Sequence, residues 1–109
     1  MEEFIEGDII VLKFPFSDLT NYKKRPALII KNINGNDSIV LQITSIARRD
    51  EYSVKLCRED FSEGSLPINS LIRINKIFTA DKSLFLYKAG TIGPIKFFES
   101  KNKLIKLFS

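Results

Sequence analysis

The chain has 109 residues, 44% of them hydrophobic and 28% charged, which suits one globular domain over residues 1–109 and is too short for two. Seventeen Lys and Arg against thirteen Asp and Glu give a formal charge of +4, which is compatible with an anionic partner but does not require one. With no histidine and one cysteine, Cys57, the chain excludes histidine-ligated zinc, a Ser-His-Asp triad and an internal disulfide, and we expect no metal or cofactor.

The N-terminus, Met-Glu-Glu-Phe-Ile-Glu, is acidic and lacks the basic and apolar regions of a secretory signal. No apolar run in the sequence approaches the ~20 residues that a membrane-spanning helix needs. We therefore expect a cytoplasmic protein with no membrane segment.

The opening stretch predicts two buried strands joined by a long polar loop. Ile9–Phe14 and Ala27–Ile30 are apolar runs that are too short for helices and rich in Ile, Val and Leu. The loop between them closes on Lys-Lys-Arg-Pro, so we expect Arg25 at the boundary between loop and strand. A guanidinium held there could bind a phosphate.

Further strands and one turn follow, because short runs of β-branched or alternating apolar residues are separated by polar clusters. The Asn34-Gly35 pair is typical of a tight hairpin turn, and the strand after it should pair antiparallel with Ala27–Lys31. Residues 58–69 are polar and are expected to form an irregular connection. The predicted strands are Ser38–Thr44, Tyr52–Leu56, Ser70–Phe78 and Ser83–Tyr87.

From Pro94 the apolar spacing becomes helical. We expect one amphipathic helix to cover an otherwise open sheet. The fold class predicted is mainly β, with antiparallel strands in a small, partly closed barrel and a C-terminal helix. The apolar face is expected to hold Phe97, Phe98, Lys101, Leu104, Ile105 and Phe108, and the opposite face Lys96, Glu99, Lys103 and Lys106.

Three segments resemble one family. They are Gly7–Asn32 with its Arg-Pro step, Ile43-Thr44-Ser45, and Leu71–Lys82. Together they resemble the PemK/MazF-like toxins, which are endoribonucleases of bacterial toxin-antitoxin pairs. The resemblance covers nearly the whole chain and implies an SH3-like barrel of the CcdB/PemK type, cleavage of single-stranded RNA without a metal, a homodimer, and a small antitoxin with a flexible, acidic segment.

By resemblance, Arg25 and Thr44 are the principal catalytic pair. A guanidinium can bind two phosphoryl oxygens at once and stays cationic. The hydroxyl of Thr44 could reach a phosphate oxygen or hold the RNA 2′-hydroxyl, with Ser45 assisting. Without the resemblance, Arg25 reads as an ordinary surface arginine and Thr44 as a residue chosen for β-propensity.

The general base is not assigned by the sequence. Some members of the family carry Arg-x-Asp where this chain has Arg73 and Asn75, and an asparagine takes no proton at neutral pH. Those members also have a histidine in the first loop, which is absent here. Asp18 is a candidate base, although an aspartate in this setting is more often a turn or cap residue.

A basic groove that tracks the RNA strand is expected from two loops that flank the catalytic pair. Basic and aromatic side chains can bind phosphates and stack on bases, although each one alone reads as an ordinary surface residue. The predicted set is Tyr22 or Phe16, with Lys23, Lys24, Arg48 and Arg49.

Three functions stay open on the sequence alone. The first is a sequence-selective, metal-independent endoribonuclease toxin. The second is a non-catalytic module on the same fold, which binds RNA or, as in the CcdB family, gyrase. The third is a plain interaction domain, which would show no RNA affinity at low salt.

Overall fold

The structure is a computed structural model that describes residues 3–15, 22–45 and 50–109. These residues form one antiparallel sheet in the order β4-β6-β3-β2-β1-β7-β5, followed by a helix. The predicted fold class, mainly β with antiparallel strands and a C-terminal helix, is confirmed. The elements are β1 Asp8–Pro15, β2 Tyr22–Asn32, β3 Asp37–Thr44, β4 Ser53–Leu56, β5 Phe61–Gly64, β6 Ser70–Asp81, β7 Phe85–Ile92 and α1 Pro94–Leu107, with 3₁₀ turns at Arg58–Asp60 and Lys82–Leu84.

The sheet curls into a half-barrel and buries apolar side chains on both of its faces. Successive strand residues point to opposite faces. Ile9 therefore joins a cluster beneath α1, whereas Ile10 joins a second cluster that Phe4 and Phe78 cover. This double burial explains why β1 and β2 each contain a continuous apolar run, Ile9–Leu12 and Ala27–Ile30, rather than alternating residues.

Several predicted boundaries are wrong. The last strand, predicted at Ser83–Tyr87, is β7 at Phe85–Ile92, because Lys82–Leu84 forms a 3₁₀ turn and β7 pairs with β1 as far as Thr91. The strand β2 begins at Tyr22, so Arg25 lies within it, opposite Leu12, and not at the boundary between loop and strand. The cause is the long hairpin that β1 and β2 form. Their backbone pairing extends as far as Pro15 and Tyr22, and it holds the polar residues of β2 in extended conformation. Residues 58–69, predicted as irregular, contain a 3₁₀ turn and the strand β5, which pairs with β7. No apolar alternation announces β5, since its residues are exposed or half-buried.

The helix begins at Pro94, as predicted, but its buried face is narrower than predicted. Phe97, Leu104 and Leu107 pack against the cluster beneath the helix. In contrast, Phe98 and Phe108 are 62% and 75% exposed, and Ile105 is exposed as well. The apolar residues of α1 thus form two stripes, and only one of them faces the sheet.

Two lysines predicted on the solvated face of α1 pack toward the protein. Lys96 lies 3.7 Å from a carboxylate oxygen of Asp60, and its side chain is 13% exposed. Lys103 donates a hydrogen bond from Nζ to the carbonyl oxygen of Ser53, at 3.1 Å. Their long aliphatic stems allow this placement at the border of the buried face. Within the described residues, no helix has the length and apolar character needed to span a membrane.

A buried carboxylate ties the N-terminal segment to β7. Asp8 is fully buried; its Oδ2 accepts a hydrogen bond from the Ile5 N–H at 2.9 Å, and its Oδ1 accepts one from the Thr91 hydroxyl at 2.8 Å. Lys88 Nζ lies 3.9 Å from the same carboxylate. The group therefore joins three parts of the chain at one point.

Replacing Asp8 by asparagine is expected to lower the free energy of unfolding by about 1–3 kcal/mol. Asparagine keeps one acceptor oxygen, but its amide nitrogen cannot accept the second of the two hydrogen bonds, and the charge facing Lys88 is lost. Urea unfolding followed by circular dichroism measures the change. The control is Glu59→Gln, which makes the same chemical change on an exposed residue and should leave the midpoint in place. An Asp8→Asn midpoint equal to that of the unaltered protein would show that these bonds contribute nothing to stability.

Candidate functional site

A cavity of about 280 Å³ opens where β1, β2, β3 and β7 approach the connection between β5 and β6. Several residues singled out in the sequence meet here. Its polar lining residues are Lys24, Arg25, Thr44, Ser45 and Ser70, and its apolar lining residues are Val11, Pro26, Ile43, Leu66, Pro67, Ile68 and Tyr87.

Arg25 is held on a paired strand. Its backbone lies opposite Leu12 of β1, and two residues further along the same strand Ala27 lies opposite Gln42 of β3. Pairing with β1 at Arg25, and with β3 from Ala27 onward, fixes the backbone from which the half-buried Arg25 side chain extends. Less conformational entropy is then lost when the guanidinium binds a ligand than if it belonged to a loop.

Thr44 is the last residue of β3, where it pairs with Leu71 of β6, and Ser45 follows it. Thr44 is half-buried and Ser45 is exposed. Both residues line the same cavity as Arg25. The structure therefore brings together the pair predicted to be catalytic and the first of its predicted helpers.

The charged residues that line the cavity are both cationic. Lys24 and Arg25 belong to the lining, and no Asp or Glu among the described residues does. Two adjacent cations without a neutralising carboxylate favour an anionic ligand. Hydroxyl groups of Thr44 and Ser45 can complete the hydrogen bonds of such a ligand.

The second predicted pair, Arg73 and Asn75, does not belong to the cavity lining. Arg73 lies on β6 opposite Ser53, and its Nη2 donates to Oδ2 of Asp50 at 3.3 Å. Its Nε is buried and has no hydrogen-bond partner within the described residues. Asn75 is exposed on the same strand. A supporting role for these two residues stays a prediction.

Other predicted residues are only partly described. Lys23 lies on β2 opposite Phe14 and is exposed. Tyr22 begins the same strand, but its side chain lies outside the described residues. The candidate base and part of the basic groove, namely Asp18, Phe16, Arg48 and Arg49, also fall outside the described ranges, so the predictions for them stand as made.

Sequence reasoning missed Tyr87, which lines the cavity. The register of β7 against β1 shifts, so that Leu12 pairs with Phe85 while the adjacent Val11 pairs with Tyr87. A regular strand would place Phe85 and Tyr87 on one face. The irregularity separates them, leaving Phe85 buried and Tyr87 exposed, and no pattern in the sequence announces it.

Two groups with shifted pKa values lie outside the cavity lining. The pKa of Tyr52 is raised because its hydroxyl is hydrogen-bonded to the Glu51 carboxylate, whose charge also opposes ionisation. The pKa of Asp81 is lowered because its carboxylate accepts a hydrogen bond from the Ser83 N–H. Neither group supplies a base for the cavity. In the described part of the chain, no group of three or more Cys, Asp or Glu side chains is arranged to hold a metal ion.

Comparison with known proteins gives one family and a consistent fold. The family model described as PemK-like, MazF-like toxin of type II toxin-antitoxin system matches residues 5–108. The sequence has no significant match among curated proteins.

Solved structures with the same fold share little sequence with this chain. A MazE-MazF crystal structure from Deinococcus radiodurans superposes with a TM-score of 0.77 at 17% identity, covering 94% of each chain. An endoribonuclease in complex with its cognate antitoxin, from a mycobacterial species, gives 0.75 at 18% identity and covers 97% of this chain and 95% of that one. The Mycobacterium tuberculosis toxin MazF-mt6 gives 0.72 at 15% identity, covering 93% and 95%.

Proposed function

The chain belongs to the PemK-like, MazF-like toxin family of type II toxin-antitoxin systems, and from this membership we propose that it is a sequence-selective endoribonuclease toxin acting on single-stranded RNA in the cytoplasm. The observation that carries the proposal is the cavity whose lining includes Lys24, Arg25, Thr44 and Ser45. Such a site suits a phosphodiester, which is anionic and rich in hydrogen-bond acceptors.

The proposed reaction is attack by the ribose 2′-hydroxyl on the adjacent phosphorus. The bond to the 5′-oxygen breaks, and the products are a 2′,3′-cyclic phosphate and a 5′-hydroxyl. The nucleophile belongs to the substrate, so neither water nor a metal is needed for this step, and DNA is spared because it lacks the hydroxyl.

In this reaction Arg25 neutralises the charge that grows on the phosphoryl oxygens. Thr44 donates its hydroxyl to a phosphoryl oxygen or holds the 2′-hydroxyl in line, and Ser45 assists it. One proton leaves the 2′-hydroxyl and one is delivered to the 5′-oxygen. Asp18 is the candidate acceptor, and Arg73 is a candidate for supporting charge.

A small antitoxin is the proposed protein partner. Related structures contain such a partner, as the MazE-MazF complex and the mycobacterial endoribonuclease with its cognate antitoxin do. A flexible acidic segment would complement the formal charge of +4 and the two cations of the cavity, and would order on binding. We expect a neighbouring reading frame to encode a short acidic protein that co-purifies with this one; flanking frames without one would count against the pairing.

We further propose a homodimer formed through the exposed stripe of α1. Four large apolar side chains lie there in solvent, namely Ile95, Phe98, Ile105 and Phe108. Phe108 directly follows the last residue of α1, and a cluster of exposed large apolar side chains is typical of a surface that contacts another protein. A second copy could cover it with the same stripe, as two-fold symmetric interfaces do.

Replacing Phe98 by glutamate is expected to shift the protein from dimer to monomer, because it places a charge in the middle of the apolar contact. Light scattering after size exclusion measures the molar mass. The matched control is Ile33→Glu, the same kind of change at an exposed apolar residue in the β2–β3 loop. If the Phe98→Glu protein has the mass of the unaltered dimer, the stripe is not the contact surface.

The absence of histidine and the presence of Asn75 favour one alternative, a module on this fold that binds RNA or gyrase without cleaving RNA. Both functions are tested by incubating the protein with an unstructured RNA and with DNA of the same sequence. The nuclease predicts discrete cuts in the RNA and none in the DNA. Tight binding of an RNA that stays intact for hours would select the alternative.

A further inference from the structure

The lining of the cavity is apolar as well as cationic. Besides Pro26 and Ile43 it includes an apolar wall, formed by Val11, Leu66, Pro67, Ile68 and Tyr87. A phosphate gains nothing from contact with apolar side chains. A nucleobase does, because every base has a flat face that stacks on apolar and aromatic groups. A lining that contains both cations and apolar side chains suits a nucleotide, which carries a phosphate and a base.

Three residues of this wall are exposed, and two of them are large. Tyr87 is 51% exposed and Ile68 is 59% exposed, and Pro67 is exposed between Ile68 and the half-buried Leu66, which packs against the cluster beneath α1. Large exposed apolar side chains that line a cavity bury further area when a ligand enters it. Tyr87 and Ile68 therefore offer the largest apolar side chains of the wall to a base.

Tyr87 is also firmly placed. It lies on β7, paired with Val11 of β1, and Val11 is paired in turn with Pro26, the residue that follows Arg25. The aromatic residue and the guanidinium residue are thus held by three adjacent paired strands. A ring whose backbone is fixed in this way loses little entropy when a base stacks on it.

We propose that Tyr87, with Ile68 beside it, is a stacking platform for the base of a nucleotide next to the phosphate held by Arg25. The inference rests on the proposed function in taking RNA as the ligand, and it adds a position that selects unpaired bases. A base within a duplex is stacked on its neighbours and cannot reach the platform. Stacking is tolerant of sequence, so Tyr87 contributes affinity for single strands rather than identity of the base.

The test separates binding from cleavage. The probe is a fluorescein-labelled single strand of about 12 deoxynucleotides of random sequence, which has bases and phosphates but no attacking 2′-hydroxyl. Fluorescence anisotropy gives the Kd for the unaltered protein, Tyr87→Ala and Tyr87→Phe. Tyr52→Ala is the matched control, because Tyr52 is an exposed tyrosine that does not line this cavity. Cleavage of RNA by the same proteins gives KM and kcat.

Tyr87→Ala is expected to weaken binding about tenfold or more, and to raise KM with kcat little changed. Tyr87→Phe and Tyr52→Ala should bind within about twofold of the unaltered protein. An unchanged Kd for Tyr87→Ala would overturn the platform even if the protein cleaves RNA. If the protein binds the deoxynucleotide strand through Tyr87 but cuts no RNA, the stacking platform is supported and the proposed nuclease activity is contradicted.

Discussion

Replacing Arg25 by alanine is expected to lower the single-turnover rate of RNA cleavage by about 100- to 1,000-fold, the usual cost of removing a group that stabilises transition-state charge. Arg25 lines the cavity beside Thr44, and no Asp or Glu of the described lining offsets its charge. Because the side chain lies outside both core clusters, the variant should unfold at the same urea concentration. Arg25→Lys restores the charge but not the planar fork, so we expect partial recovery.

Lys31→Ala provides the control for this change. Lys31 is a cation on the same strand, exposed, and it lies 3.8 Å from Glu6, outside the cavity lining. Its replacement should leave the rate of RNA cleavage within about twofold of that of the unaltered protein. The exposed ion pair that is lost contributes little to the stability of the fold. Full activity in Arg25→Ala would show that the phosphate is held elsewhere.

Replacing Thr44 by valine is expected to lower kcat/KM by about 10- to 100-fold, because the shape of the side chain is kept while its hydroxyl is lost. Valine also suits a strand, so β3 should keep its pairing. Thr44→Ser retains the hydroxyl and should recover most of the activity. The kinetic parameters of the three proteins on one RNA give the comparison.

Thr79→Val is the matched control for Thr44. Thr79 is an exposed threonine on the strand β6, where it pairs with Ile39 of β3, and it is not part of the cavity lining. It should cleave RNA as the unaltered protein does. An unchanged kcat/KM for Thr44→Val would show that the Thr44 hydroxyl takes no part in the reaction. Of the proposed catalytic pair, only Arg25 would then remain.

Hydrophobic pattern predicted the strands that form the centre of the sheet, because residues such as Ile9 and Ile10 are buried on opposite faces and produce an unbroken apolar run. The hydrophobic pattern gave wrong predictions where an apolar residue is exposed, or where a strand has no buried side chains. Phe97 and Phe98 are neighbours in the helix, and only the way α1 lies on the sheet decides that Phe97 is covered and Phe98 is not. The strand β5 shows no pattern, since it pairs with β7 through backbone bonds while its side chains stay exposed or half-buried.

The candidate site divides in the same way. Arg25 and Thr44 were chosen through family resemblance, and their arrival at one cavity agrees with the predicted pairing of β2 and β3, which the structure confirms. Tyr87 could not be predicted, because a register shift between β1 and β7 decides its direction. The Arg73–Asp50 ion pair joins residues 23 apart in sequence and likewise has no signature in spacing.

The most direct test of the proposed chemistry is to incubate the purified protein with a long unstructured RNA in excess EDTA and to determine the chemical nature of the fragment ends. Attack by the 2′-hydroxyl with charge stabilisation by Arg25 predicts discrete cuts that carry 2′,3′-cyclic phosphates and 5′-hydroxyls, and that disappear in Arg25→Ala. Cleavage that stops in EDTA, or fragments that begin with 5′-phosphates, would contradict this mechanism.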